Sequence, residues 1–303
     1  MKLSTTGLGI GAYASNIEET IELIHSVGFR HMDLSFPGPA CTTGFYAEDL
    51  AEFEAHIKRV SEKCKELGMD FVQSHAPMGK PLAGNDDAKR LIQTTKYCIR
   101  AAGALNIPHV VVHSGYLPDI SKDECFELNK KFFDELLVEA EKYGVNVLVE
   151  NFDRMTHDNV YWIDNATDLR RMIDLVDHPL FHAVWDAGHA NLQDMPQHKE
   201  LAILGDHVLA LHVQDNMGDR DTHRMPFFGT LNLDDLMKGL MDIGYKGAFN
   251  FEVASMITPP AKRRQFEADT RLLKAPLSVR MAEMRLMYEV GKATLEAYGL
   301  YEE

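Results

Sequence analysis

Val184-Trp185-Asp186-Ala187-Gly188-His189-Ala190-Asn191 joins an apolar run to two metal-type ligands. Together with Phe181 to Ala183 it reads as a strand that ends in Asp186 and sends His189 out just beyond its end. The pair alone says little. Other strand-like runs before and after it also finish on a carboxylate or an imidazole, at His75, His113, Glu150, His212 and Glu252.

Working outward, the pattern predicts strands at Leu3 to Gly11, His31 to Phe36, Asp70 to His75, His109 to His113 and Val145 to Glu150. Beyond Asp186 come Val208 to His212 and Gly247 to Val253. Helical periodicity fills the intervals. Asn16 caps a helix whose apolar face is Ile17, Thr20, Ile21, Ile24 and Val27, stopped by Gly28. Further helices are expected at Ala47 to Leu67, Asp86 to Leu105, Lys122 to Tyr143, Thr167 to Val176, Gln197 to Leu204 and Leu233 to Ile243. Strict alternation implies a parallel α/β sheet, and eight strands is the closing number of a single (β/α)8 barrel. An open doubly wound sheet is the alternative, but no Gly-x-Gly-x-x-Gly follows the first strand.

Residue parity supports closure, because barrel strands alternate between the interior and the helix layer. Phe249, Phe251 and Val253 fall on one face, and Ala248, Asn250 and Glu252 on the other. Leu209, Leu211 and Val213 likewise oppose Ala210, His212 and Gln214; Val145, Val147 and Val149 oppose Asn146, Leu148 and Glu150; Trp185 opposes Val184 and Asp186. The ligand-type residues therefore point inward near the C-terminal strand ends, where barrel enzymes place their chemistry.

Residues 1–253 are expected to form the barrel. Residues 254–303 are expected to add a long loop, with Pro259-Pro260, Lys262-Arg263-Arg264, Arg271 and Lys274, and a helix from about Ser278 to Tyr298 packed on the same domain. The basic stretch is expected to be solvated or to contact a second copy, which leaves a homo-oligomer open.

The chain has 303 residues, ample for such a barrel, with 45% hydrophobic and 25% charged residues. Its net charge of −15 disfavours nucleic acid and anionic membranes as partners. Cys41, Cys64, Cys98 and Cys125 form no C-x-x-C pair and fit buried free thiols. Glycines interrupt Leu8 and Ile10, so no signal-peptide core is present, and no apolar run reaches about 18 residues. The expected location is cytoplasmic.

Glu150, Asp186, His212 and Glu252 supply three carboxylates and an imidazole from four strands, a set suited to Mn2+, Mg2+ or Zn2+. Without a cation the carboxylates would repel one another strongly. Val149-Glu150-Asn151, Asp186-Ala187-Gly188-His189, Leu211-His212-Val213-Gln214-Asp215-Asn216 and Glu252 resemble the xylose isomerase-like barrel superfamily, over residues 1 to about 253. Within it, the chain is most similar to sugar phosphate isomerase/epimerase proteins, whose relatives include tagatose and psicose epimerases and inosose isomerases.

The resemblance implies one divalent ion, Mn or Zn before Mg or Co, held by Glu150, Asp186, His212 and Glu252, with Glu150 and Glu252 also moving the proton. The expected reaction is isomerisation or epimerisation of a sugar, sugar phosphate or inosose through an enediolate. His189, His75, His113, His223, Arg220 and Arg224 are the expected substrate contacts. For His75 and His113 the alternatives are a hydrogen-bonded role at the mouth or a second metal. For Arg220 and Arg224 the alternative is plain solvation. Trp162 and Phe152 could wall a sugar face or simply pack the loop.

The chain also resembles endonuclease IV, whose three-zinc set has counterparts at His75, His113, Glu150, Asp186, His189, His212, Asp221, His223 and Glu252. Against that reading, Asn151-Phe152-Asp153 follows Glu150 where the nuclease has a glycine-containing stretch, and the charge is −15. An inosose-type dehydratase and a non-catalytic sugar-binding barrel complete the alternatives.

Overall fold

The structure is a computed structural model and describes residues 1–154, 160–254, 256–257 and 275–302. Eight parallel strands, β1 (Leu3–Thr6), β2 (His31–Ser35), β3 (Asp70–His75), β4 (His109–Val112), β5 (Asn146–Glu150), β6 (Phe181–Asp186), β7 (Val208–His212) and β8 (Phe249–Phe251), pair in the order β7-β6-β5-β4-β3-β2-β1-β8. The seam between β7 and β8 closes through a Val213–Phe251 bridge. There the Val213 amide donates to the Asn250 carbonyl at 2.8 Å, and the Glu252 amide donates to the Val213 carbonyl at 3.1 Å.

Helices fill the crossovers: α1 (Ile17–Ser26), α2 (Leu50–Leu67), α3 (Asp86–Ala104), α4 (Lys122–Tyr143), α5 (Ala166–Val176), α6 (Ala187–Leu192), α7 (Gln197–Leu204), α8 (Leu233–Asp242) and α9 (Leu277–Ala297). Short polar caps set their starts. Asn16, Asp49, Asn85, Ser121, Asn165 and Asn232 each accept from the backbone N–H three residues on, satisfying a donor that would otherwise lack an intrahelical partner. Gly68 and Gly144 end α2 and α4 in the left-handed conformation.

α9 follows β8 and takes the eighth helical position of the barrel. Its Gly291 lies against Leu3 of β1 and Phe251 of β8, where even a methyl group would collide with both. One local expectation is corrected. β1 stops at Thr6 instead of reaching Gly11, because Gly7 and Gly9 turn the chain into a short helical turn at Gly11–Tyr13. The residues just after Asp186 form α6.

The interior is divided. Val111, Leu148, Val184 and Ala210 make a small apolar layer under β4 to β7. On the other side the filling is polar, from Ser4, Asp33, Gln73 and Asn250, all buried. The large apolar residues of opposite parity, among them Val147, Val149, Trp185, Leu211, Phe249 and Phe251, pack outward against the helices. The four cysteines are free, with Cys64, Cys98 and Cys125 buried. Among the described residues no helix is long and apolar enough to cross a membrane. Pro259, Pro260, Lys262, Arg263, Arg264, Arg271, Lys274 and His157 lie outside the described residues.

Candidate metal centre

The C-terminal strand ends meet at one mouth. Glu150 ends β5, Asp186 ends β6, His212 ends β7, and Glu252 follows β8 across the seam. One donor atom from each lies within 4.8 Å of the other three. Glu150, Asp186 and His212 are almost fully buried, whereas the Glu252 side chain keeps 12% exposure. His212 Nδ1 sits 3.1 Å from Glu150 Oε1 and 3.2 Å from Glu252 Oε2.

Asp186 serves two structural ends. Its Oδ1 accepts from the His189 amide at 2.6 Å, which caps α6, and from Gln214 Nε2 at 3.3 Å. Its Oδ2 is buried with no hydrogen-bond partner. Burial, reinforced by the charges of Glu150 and Glu252, pushes the Asp186 carboxyl up to about 7 despite His189 and His212 nearby. Burial would raise Glu150 as well, but His212 and His113 outweigh it and hold the carboxyl well below its usual range. The two carboxyls thus respond oppositely to the same buried mouth, with burial prevailing at Asp186 and the histidines at Glu150.

Besides His75 with the first group's own His212 and Glu252, two further donor groups adjoin the first. His75, His113 and Glu150 form one: His113 Nε2 is 3.0 Å and His75 Nε2 3.4 Å from Glu150 Oε2. His189, Asp221 and His223 form the other, with Asp221 Oδ2 3.5 Å from His189 Nε2 and 3.0 Å from His223 Nε2. Backbone carbonyls fix three of these imidazoles. Nδ1 donates to the carbonyls of Ala76, Asn151 and Glu252 from His75, His189 and His223 at 2.6, 2.9 and 2.8 Å. With Nδ1 so engaged, each Nε2 faces the site, where His223 Nε2 donates to the Asp221 carboxylate; giving up the Nε2 proton would expose a lone pair there. Phe152 is buried between His113 and His189, at ring-centroid distances of 4.6 and 4.7 Å.

Arg220 and Arg224 stand differently. The Arg220 side chain is 81% exposed beside Asp219, and Arg224 bonds the Phe228 carbonyl, so neither is drawn into the donor groups. Trp162 is half-buried against the core. Three supporting residues carry no metal-ligand signature in the sequence. Asn151 clamps β5 to β6, donating to the Asp186 carbonyl and accepting from the Asp186 amide. Gln214 bridges Asp186 and Asp221. Asp33 lies beneath His212. The inward parity that marks Glu150 and His212 also marks Asp33 and Gln214.

The donor set fits a divalent cation. Three carboxylates and an imidazole converge, Asp186 Oδ2 makes no hydrogen bond, and the oxygens come from the ends of β5 and β6 and from just beyond β8. The chain also has relatives among known proteins. A family model described as xylose isomerase-like TIM barrel matches residues 21–275. The chain belongs to this family. A fructoselysine 3-epimerase of Shigella flexneri is 28% identical over 181 residues, which span 58% of this chain and 63% of that relative, a little under two thirds of its length. The D-psicose 3-epimerase of Clostridium cellulolyticum H10, solved with D-tagatose, superposes with a TM-score of 0.73 over 97% of this chain and 99% of that one, at 16% identity. An AP endonuclease, family 2, from Brucella melitensis gives 0.66 over 84% and 93%, at 18% identity. At these identities the two structures speak to the fold alone.

Proposed function

We propose that this family member is a divalent-metal-dependent isomerase or epimerase of a ketose, inosose or sugar phosphate. The observation that carries this reading is the convergence of Glu150 and Glu252 on one donor group from strands on opposite sides of the seam. A metal held by Glu150, Asp186, His212 and Glu252 would polarise a substrate carbonyl and hydroxyl, acidifying the C–H between them. One of the two glutamates takes that proton on a carboxylate oxygen, and the other returns one at the neighbouring carbon or the opposite face. His189 presents Nε2 to a substrate oxygen, with its ring orientation fixed through Nδ1 by the Asn151 carbonyl. Phe152 keeps water from the rear of His113 and His189.

Glu150→Gln and Glu252→Gln should each lower turnover of an accepted ketose by at least about 10³-fold, the upper range for losing a positioned acid–base group. Metal content is to be measured in parallel. Near-normal turnover in either loaded variant would rule out two-carboxylate proton transfer. Product mass separates the inosose-type dehydratase, which loses water, from isomerisation, which does not.

A second reading, metal-dependent hydrolysis of a phosphodiester, is favoured by one observation: the further donor groups His75–His113–Glu150 and His189–Asp221–His223. Against it stands the −15 charge, which repels a polyanion. Elemental analysis divides the two, with about one ion per chain expected for the isomerase and about three zinc ions for the hydrolase.

A further inference from the structure

We infer that Asp33, inside β2, is the positioning residue for His212, and that through His212 it sets the affinity of the mouth for its cation. The inference rests on the metal reading above. His212 is fully buried and faces two ways. Its Nδ1 looks up at Glu150 Oε1 and Glu252 Oε2, and its Nε2 looks down at Asp33 Oδ2, 3.4 Å away. Nε2 makes no hydrogen bond as the ring stands, and Asp33 Oδ2 is the carboxylate oxygen within ion-pair distance of it. An imidazole whose Nε2 proton points at a carboxylate leaves the Nδ1 lone pair free for a metal, and the carboxylate also makes that nitrogen a stronger donor. Turned over, the ring would set an N–H against the ligand oxygens.

Asp33 is itself held in place. It is 0% exposed, and its Oδ2 accepts from Gln73 Nε2 at 2.9 Å and from Asn250 Nδ2 at 3.0 Å. Asn250 is oriented in turn by Ser4, whose hydroxyl donates to Asn250 Oδ1 at 2.8 Å. β1, β2, β3 and β8 thus each give one inward polar residue to a network whose upper edge is His212. The opposite half of the same interior is filled by Val111, Leu148, Val184 and Ala210. Asp33 Oδ1 has no hydrogen-bond partner, so this buried carboxylate is only partly bonded and costly, and packing alone would be better met by apolar side chains.

The test compares wild type, Asp33→Asn and Ser4→Ala, each stripped of metal and titrated with Mn2+ or Zn2+ against a chromophoric chelator. Apo-protein thermal unfolding is recorded for each. Asp33→Asn keeps the size of the side chain but loses the charge, and a 10- to 100-fold weaker cation affinity is expected, the range for loss of an outer-shell partner of a ligating histidine. Ser4→Ala, in the same network but two hydrogen bonds removed from Asp33, should lower apo stability slightly and weaken the affinity clearly less than Asp33→Asn does. If Asp33→Asn lowers apo stability while its affinity matches wild type, Asp33 is packing only and the inference is overturned. A wild type that binds neither cation would overturn the metal reading and this inference with it. Should Asp33→Asn fail to fold, Gln73→Met, which releases one of the two donors holding Oδ2, is expected to weaken the cation about 3- to 10-fold, less than the full loss of an outer-shell partner. An unchanged affinity in a folded Gln73→Met protein would count against the inference.

Discussion

His109 and Glu150 stand at opposite ends of the barrel and show what burial does to a single titratable group. At the start of β4, burial first and then the nearby charge of His182 push the His109 imidazole down to about 4, and its neutral Nδ1 accepts from Asn146 Nδ2 at 3.1 Å. In the unfolded chain the same ring titrates near 6.5. Between these values the unfolded state binds the proton and the folded state does not, so stability falls as pH drops from about 6.5 to about 4, by up to about 3 kcal/mol. His109→Gln should flatten that limb of a stability-against-pH curve, with or without metal. An unaltered slope would show that His109 is not desolvated as described. At the other end, Glu150, Asp186 and His212 are legible in the sequence because each is a charged or imidazole side chain closing an apolar run. Asp33 is harder to read. It sits in mid-strand, where a lone carboxylate resembles any polar substitution until Gln73, Asn250 and His212 are seen around it.

Elements with strong periodicity follow the sequence closely. β3, β6, β7, α4 and α7 begin and end where alternation, caps and glycine stops place them. α6 escapes that reading because six residues, Ala187–Leu192, are too few to show a helical period. Its existence rests on tertiary contacts: the Asp186 cap, and Gly188, whose backbone approaches the Gln214 side chain so closely that any Cβ would overlap its amide. Gly188→Ala should therefore push Gln214 off Asp186 and Asp221. The expected cost is about 1–3 kcal/mol, as for other overpacked interiors, together with weaker cation binding. Thermal unfolding and a chelator titration check this, and a variant equal to wild type in both would show that Gln214 has room to move. The loop after β7 is likewise unreadable from periodicity, yet it delivers Asp221 and His223, with His223 held at a φ of 43°. Such backbone is sparsely populated outside glycine and persists where surrounding bonds enforce it, here the Glu252 carbonyl and Asp221.

At the scale of the whole molecule, closure of eight strands concentrates carboxylates and imidazoles in one mouth of a chain that already carries a net charge of −15. Cation binding should therefore stabilise the entire barrel. At a free concentration 100 times Kd the gain is about 2.7 kcal/mol, so chelation should lower Tm by several degrees and re-addition of Mn2+ or Zn2+ should restore it. The chemistry has a more direct readout. Metal-loaded protein is incubated with a panel of ketoses, inososes and their phosphates in D2O and followed by proton NMR and product mass. The expected result is deuterium at the carbon beside the carbonyl of one substrate, in a product that has lost no water, and loss of that exchange in Glu150→Gln and Glu252→Gln. No exchange with any member of the panel, from a protein that carries about three zinc ions and cleaves abasic DNA, would contradict it.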